Sequence, residues 1–144
     1  MRLERVGHML ENFLDCYREK RRTEITFTDK ARREQEQLFA LLLDILTNFR
    51  DAIQNPSREA LLAVLFQGKR LEEMVQQFAG THWERVKSGA CSVEASTMWC
   101  EILDSAKWAN EYLMEVASTL LEMGEVPHQV PNRTMRRTRS VYEC

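Results

Sequence analysis

The sequence predicts an all-α protein, an antiparallel up-down bundle of four helices followed by a basic tail. Three observations carry this reading. Apolar residues recur at spacings of three and four along four separate stretches, helix stop and start residues fall between them, and no alternation of period two competes. Long helices joined by links of a few residues bury their stripes by packing antiparallel. The bundle is expected over residues 1–124 and the tail over 125–144.

The first helix places Leu3, Val6, Leu10, Phe13, Leu14 and Tyr17 on one face. Arg18, Lys20, Arg21 and Arg22 follow at its C-terminal end, where cations favour the negative pole of the helix. A short link from Thr23 to Phe27 leads to Thr28, an N-cap type residue, with Asp29 behind it in the first turn. The second stripe runs through Ala31, Leu38, Leu42, Ile45, Phe49 and Ala52, broken by Gln35. Asn55-Pro56-Ser57 ends that helix and opens the next, since proline cannot continue a helix but suits its first turn.

The third stripe comprises Leu61, Val64, Leu65, Gly68, Leu71, Val75 and Phe78, and Lys87-Ser88-Gly89 stops it. The fourth is the most regular: Ala95, Trp99, Ile102, Ala106, Ala109, Leu113, Val116 and Leu120. Gly124 is expected to supply a left-handed stop, with Pro127 beyond it. The predicted core holds Phe13, Leu42, Ile45, Phe49, Leu65, Leu71, Trp99, Ile102 and Val116. Small residues at Gly68, Ala106 and Ala109 let neighbouring helices approach closely.

A chain of 144 residues fits one domain, and a net charge of −2 gives no global attraction to nucleic acid or membranes. No apolar run spans a bilayer, and the charged, amphipathic N-terminal stretch does not read as a signal peptide. Cys16, Cys91, Cys100 and Cys144 show neither a CxxC pair nor a zinc spacing, so reduced thiols in a cytoplasmic protein are expected. Phosphate loops, HExxH, GxSxG and Cys/His nucleophile arrangements are absent, and no enzymatic activity is expected. The arginines outside the bundle, Arg133, Arg136, Arg137 and Arg139, are confined to the tail with one acid, Glu143. That segment reads as a solvated tail or as one drawn to an anionic membrane surface, rather than as a nucleic-acid face.

Two stretches carry a family resemblance. His82-Trp83-Glu84-Arg85-Val86, the stop at Gly89, the Cys91-Ser92-Val93-Glu94-Ala95 start and the helix that follows form one. Leu3-Glu4-Arg5-Val6-Gly7-His8-Met9-Leu10-Glu11-Asn12 forms the other. Together they resemble the PhoU-type regulators of phosphate uptake, whose segment has a histidine, Glu-Arg-Leu, a glycine turn, a Ser-x-Glu-Ala start and a Glu-Arg-Ile-Gly-Asp ending. The resemblance covers about residues 3 to 120 and implies the last helix of one three-helix repeat plus the whole of a second. A PhoU-like domain at the cytosolic C-terminus of a bacterial sodium/phosphate cotransporter has this extent.

The family holds metal ions on Glu-x-x-x-Asp pairs, because residues four apart share a helix face and can converge on one cation. Here Glu4 keeps the acid and His8 stands at the aspartate position, while in the second copy Lys107, Asn110 and Glu111 stand at the glutamate, glycine and aspartate positions. Glu72 falls where the family often has an aspartate in the preceding helix. The resemblance thus implies a metal set of Glu4, His8, Glu72 and Glu111, holding iron or another divalent ion. Lys107, a cation with no lone pair to give, argues against occupancy, so no cofactor is the expectation. The alternative for Lys107, Asp104 and Glu111 is a salt-bridged helix face, and for His82 a structural place at a helix end.

The expected function is therefore a non-catalytic, PhoU-like domain in phosphate transport or its regulation, acting by protein contact. Its partner would be a membrane transporter domain or a phosphate-signalling protein, and its place the cytoplasm or the inner face of the cell membrane. Trp83 and Trp108, off their stripes, and the four tail arginines are the contact candidates. A homodimer is expected, with the first helix contributing an apolar face left over from the absent repeat. Two rivals remain: a metal-binding bundle, and a helical scaffold with no phosphate connection.

Overall fold

The structure, a computed structural model, describes residues 2–125. It contains four helices, α1 (Arg2–Arg22), α2 (Asp29–Gln54), α3 (Arg58–Lys87) and α4 (Val93–Glu125). Contacts along each neighbouring pair show their directions. Between α1 and α4, Arg5 lies over Tyr112 and Cys16 meets Glu101. Asn48 meets Gln67 and Glu34 meets Arg85 between α2 and α3; His82 meets Ser96 and Asn110 meets Gly68 between α3 and α4. In every pair one residue number falls as the other rises, which makes the bundle up-down-up-down. No described helix is long and apolar enough to cross a membrane.

The helix ends follow from local chemistry. Thr28 Oγ1 accepts from the Ala31 amide at 3.2 Å, Ser57 Oγ from Ala60 at 3.1 Å, and Ser92 Oγ from Ala95 at 3.1 Å. Each satisfies one donor that the first turn leaves free, worth about 1 kcal/mol. At the end of α3, Gly89 adopts φ +71°, so that its amide reaches Val86 and the Ala90 amide reaches Arg85. This pair of bonds is a Schellman closure, and it requires the left-handed residue that glycine supplies. α1 closes less favourably: Glu24 carries φ 54°, a conformation that costs a residue with a Cβ about 1 kcal/mol.

The expected stripes form the core. Leu38, Ile45, Val64, Leu71, Ile102, Ala106 and Ala109 have no exposed surface, and Trp99 almost none. Burying a leucine or isoleucine side chain contributes about 1.5–3 kcal/mol. Leu65 and Val116 are only partly buried, and Leu14 and Tyr17 are 46% and 39% exposed. For Leu14 and Tyr17 the cause lies in how α1 is attached. Its backbone packs closely on α4, but among the described residues it does not approach α2, which it meets through rings. Phe39 of α2 lies 4.3 Å from Phe13 and 5.8 Å from Tyr17, centroid to centroid. Val6 and Phe13 are buried, so α1 is built into this bundle, and among the stripe residues whose burial is described Leu14 and Tyr17 are the exposed ones.

Gly124 departs from expectation. α4 continues through it to Glu125 and its φ is not positive, because no left-handed turn is needed where the helix has not ended. Pro127, the tail and Cys144 lie outside the described residues. Among the described residues Cys16, Cys91 and Cys100 form no disulfide.

Gly68 sets the closeness of α3 and α4. A Cβ there would lie 2.6 Å from Cγ and Sδ of Met114 and 3.1 Å from Oδ1 of Asn110. In Gly68→Ala, overpacking of about 1–3 kcal/mol opposes a helix-propensity gain of about 1 kcal/mol. The variant is expected to be less stable by about 1 kcal/mol in urea unfolding. In a Met114→Ala background the 2.6 Å contacts are gone and only the milder approach to Asn110 Oδ1 remains, so the same substitution is expected to cost less or to be neutral. An equal loss in both backgrounds would place the constraint elsewhere.

Candidate functional site

Three places concentrate chemistry: the two motif copies, a buried polar junction, and an open groove between α1 and α4. The motif copies lie far apart in sequence and level with one another in space. Arg5 sits 5.9 Å from the Tyr112 ring, so Glu4 and His8 on α1 stand beside the Lys107–Glu111 turn of α4. The four residues of the implied metal set nevertheless separate. His8 is exposed, with Nδ1 3.6 Å from Glu11, and Glu4 is exposed on the same helix. Glu72 and Glu111 do come into each other's field across α3 and α4, and burial and Glu72 both raise the Glu111 carboxyl above its ordinary range.

Lysines answer that pair of carboxylates. Lys69 Nζ lies 2.9 Å from Glu72, and Lys107 Nζ lies 3.9 Å from Glu111 while also stacking over Trp108. A divalent ion at this place would have to displace two ammonium groups. Among the described residues no group of three or more His, Cys, Asp or Glu side chains gathers to hold a metal ion.

The polar junction lies where α2 begins, α3 ends and α4 begins. Glu34 is buried on the α2 stripe and uses both oxygens, accepting from Thr81 Oγ1 at 2.7 Å and from Arg85 Nη1 at 2.8 Å. The Arg85 guanidinium lies 5.7 Å from the Trp99 ring centroid, and Trp99 meets Phe27 edge-on at 5.5 Å. Lys20 covers Phe27 at 4.2 Å and donates to Gln35 Oε1. His82 is buried, with Nε2 2.9 Å from Ser96 Oγ. Burial, then the positive charge of Arg85, lower its pKa below the ordinary histidine value. His82, Arg85 and Trp99 also line a space of about 10 Å³, and Nδ1, Nη2 and Nε1 of the three have no protein partner. That space has room for one water-sized acceptor.

The groove is larger, about 610 Å³, and open. Met9, Met98, Cys16 and Trp108 give it an apolar floor, and Asp15, Glu19, Glu101 and Asp104 give it acidic walls. Cys16 Sγ donates to Glu101 at 3.4 Å, and burial with this carboxylate pushes the thiol up to about 11. Burial also raises Asp104, and one of its oxygens is buried with no donor.

Of the contact candidates, Trp108 lines the apolar floor of this groove and Trp83 is exposed on α3. Arg133, Arg136, Arg137 and Arg139 lie outside the described residues. Sequence reasoning missed Glu34, for which a carboxylate one turn before Leu38, on an apolar stripe, was the available signal. The sequence reads Asp104 only as part of a salt-bridged helix face with Lys107, and does not show its place in the groove. Comparison of the chain with known protein families, with curated proteins and with solved structures finds no match.

The junction generates two expectations. Glu34→Gln leaves the buried guanidinium uncompensated and is expected to cost about 3–5 kcal/mol, whereas Glu34→Leu with Arg85→Met is expected to recover most of that. Chemical unfolding of the three proteins distinguishes a pair that must be kept whole from one that contributes little. For His82 the folded pKa is depressed, so its stabilising term is complete above the unfolded value near 6.5 and is lost as pH falls through the folded value. Between pH 7.5 and 5 the melting temperature is expected to fall more steeply than in His82→Gln. Asp104 and Glu111, both raised, act in the opposite direction and cancel in that comparison. Parallel profiles would refute the His82 assignment.

Proposed function

We propose that this chain is a non-catalytic, PhoU-like helical domain that serves phosphate transport or its regulation by contact with a partner protein. In this reading it acts as the cytosolic part of a sodium/phosphate cotransporter-type protein, or beside one at the inner face of the membrane. The observation that carries the reading is the meeting of the two family-like stretches. Residues 3–12 and the Lys107–Glu111 turn lie at opposite ends of the sequence and face each other on adjacent antiparallel helices.

Further support comes from the His82-to-Ala95 stretch. Its glycine turn, serine cap and buried Arg85 are the parts that join α3 to α4. The lysines beside Glu72 and Glu111 favour contact over metal chemistry, since each supplies the positive charge that an ion would bring.

The test is cellular and elemental together. Deleting the gene in its own organism is expected to change labelled phosphate uptake between limiting and replete phosphate. Wild type, but not Trp108→Asp, is expected to restore it. Uptake that ignores the deletion would end the phosphate reading and leave a scaffold of other purpose. Protein purified without chelators is expected to carry far less than one metal ion per chain. Stoichiometric iron, manganese or zinc would favour the metal-binding bundle instead.

A further inference from the structure

We propose that the α1–α4 groove is the docking site of the chain's own basic segment, residues 126–144, which makes the groove a self-covered surface. Charge complementarity is the first argument. Two of the four wall carboxylates, Asp15 and Glu19, are held by Arg18 and Arg22, exposed partners three residues on that exchange readily. The other two are poorly answered. Glu101 takes the weak thiol hydrogen bond of Cys16, and Asp104 keeps a buried oxygen without a donor, with Lys107 the cation acting on it. The segment supplies Arg133, Arg136, Arg137 and Arg139, whose planar guanidinium groups match carboxylates in pairs of bonds. Met135 lies among these arginines, and Val141 and Tyr142 follow them. These side chains suit a floor made by Met9, Met98 and Trp108.

Reach is the second argument. α4 runs antiparallel to α1 and ends at Glu125, beyond the α1 residues that line the groove. From Glu125 back to Trp108 is about 26 Å of helix, to Asp104 about 32 Å, and to Glu101 about 36 Å, at about 1.5 Å per residue. A chain leaving Glu125 can extend about 26 Å by Arg133, about 36 Å by Arg136 and about 46 Å by Arg139, at about 3.3 Å per residue. The first arginine therefore reaches Trp108, the middle pair reaches Asp104 and Glu101, and the last reaches past them toward Asp15 and Glu19. This inference stands apart from the phosphate reading, since it needs only the groove and the segment.

Limited trypsin digestion of the full chain tests it, because trypsin cuts at the same arginines that the groove would hold. At low ionic strength, cleavage after Arg133 to Arg139 is expected to be at least fivefold slower in wild type than in Glu101→Gln/Asp104→Asn. The difference is expected to vanish at about 0.5 M salt, where charges are screened within a few ångströms. Amide spectra of Arg133→Gln/Arg136→Gln/Arg137→Gln/Arg139→Gln provide a second reading that leaves the bundle sequence untouched. Relative to wild type, shifts are expected to concentrate at residues 9–19 and 98–108. Equal cleavage rates with unchanged groove resonances would overturn the proposal. Protection lost on dilution would place the segment in a neighbouring copy's groove and overturn it as stated. Protection that appears only with phosphatidylserine vesicles, equally in both proteins, would assign the arginines to a lipid surface and overturn it too.

Discussion

The arrangement of this bundle depends on one buried charge pair, Glu34 with Arg85. Neither group is tolerable in an apolar core alone, so α2 and α3 must lie in the register that joins them. Once the guanidinium is fixed, it lies over Trp99 and thereby positions the start of α4, and Trp99 in turn supports Phe27 in the link between α1 and α2. Thr81 and Ser96 complete the polar set at the same level. Four helices are thus keyed at one end by a single electrostatic requirement, while toward the other end apolar packing is joined by the Asn48–Gln67 and Asn110–Gly68 hydrogen bonds. The family-like residues His82 and Arg85 belong to this keyed end, so their presence has a structural reason whatever partner the domain serves.

Much of the architecture was legible in the sequence because it is set by local rules. Thr28, Ser57, Ser92 and Gly89 each act within a few residues of themselves, and helical periodicity shows wherever a face is fully buried. What escaped is non-local. The partner of Glu34 lies 51 positions away, and no propensity or spacing announces it. Gln35 looked like a break in the α2 stripe, yet it is buried and accepts from Lys20 of α1. Leu14 and Tyr17 follow the α1 periodicity but remain exposed, since periodicity gives a face and not the distance to the helix opposite. Gly124 had the composition of a stop without being at one.

The candidate site was legible only by resemblance. The implied metal positions fall on neighbouring helices, but among the described residues they do not gather into a group that could hold a metal ion. The lysines that answer Glu72 and Glu111 were partly visible, since Lys107 stands within the motif and Lys69 does not. The acidic groove could not be read from the chain, because its walls come from helices at opposite ends of the sequence. It exists because α1 turns its aromatic side to α2 and a mixed acidic and sulfur-bearing side to α4.

Asn110 has a consequence beyond its own hydrogen bond. It is fully buried in the middle of α4 and donates to the Gly68 carbonyl at 2.9 Å, where the missing Cβ lets the two backbones come together. Ala106, Ala109 and Ala117 leave smooth patches around it, with the large buried side chains Leu103 and Leu113 set among them. Sliding α4 by a turn would unseat those leucines, and it would also strand the Asn110 amide against apolar carbon. That penalty, about 1–3 kcal/mol, acts like a detent on a sliding rod. α3 and α4 are thereby held to one alignment by a polar stop, and the long hairpin they form is a ruler against which the other two helices are set.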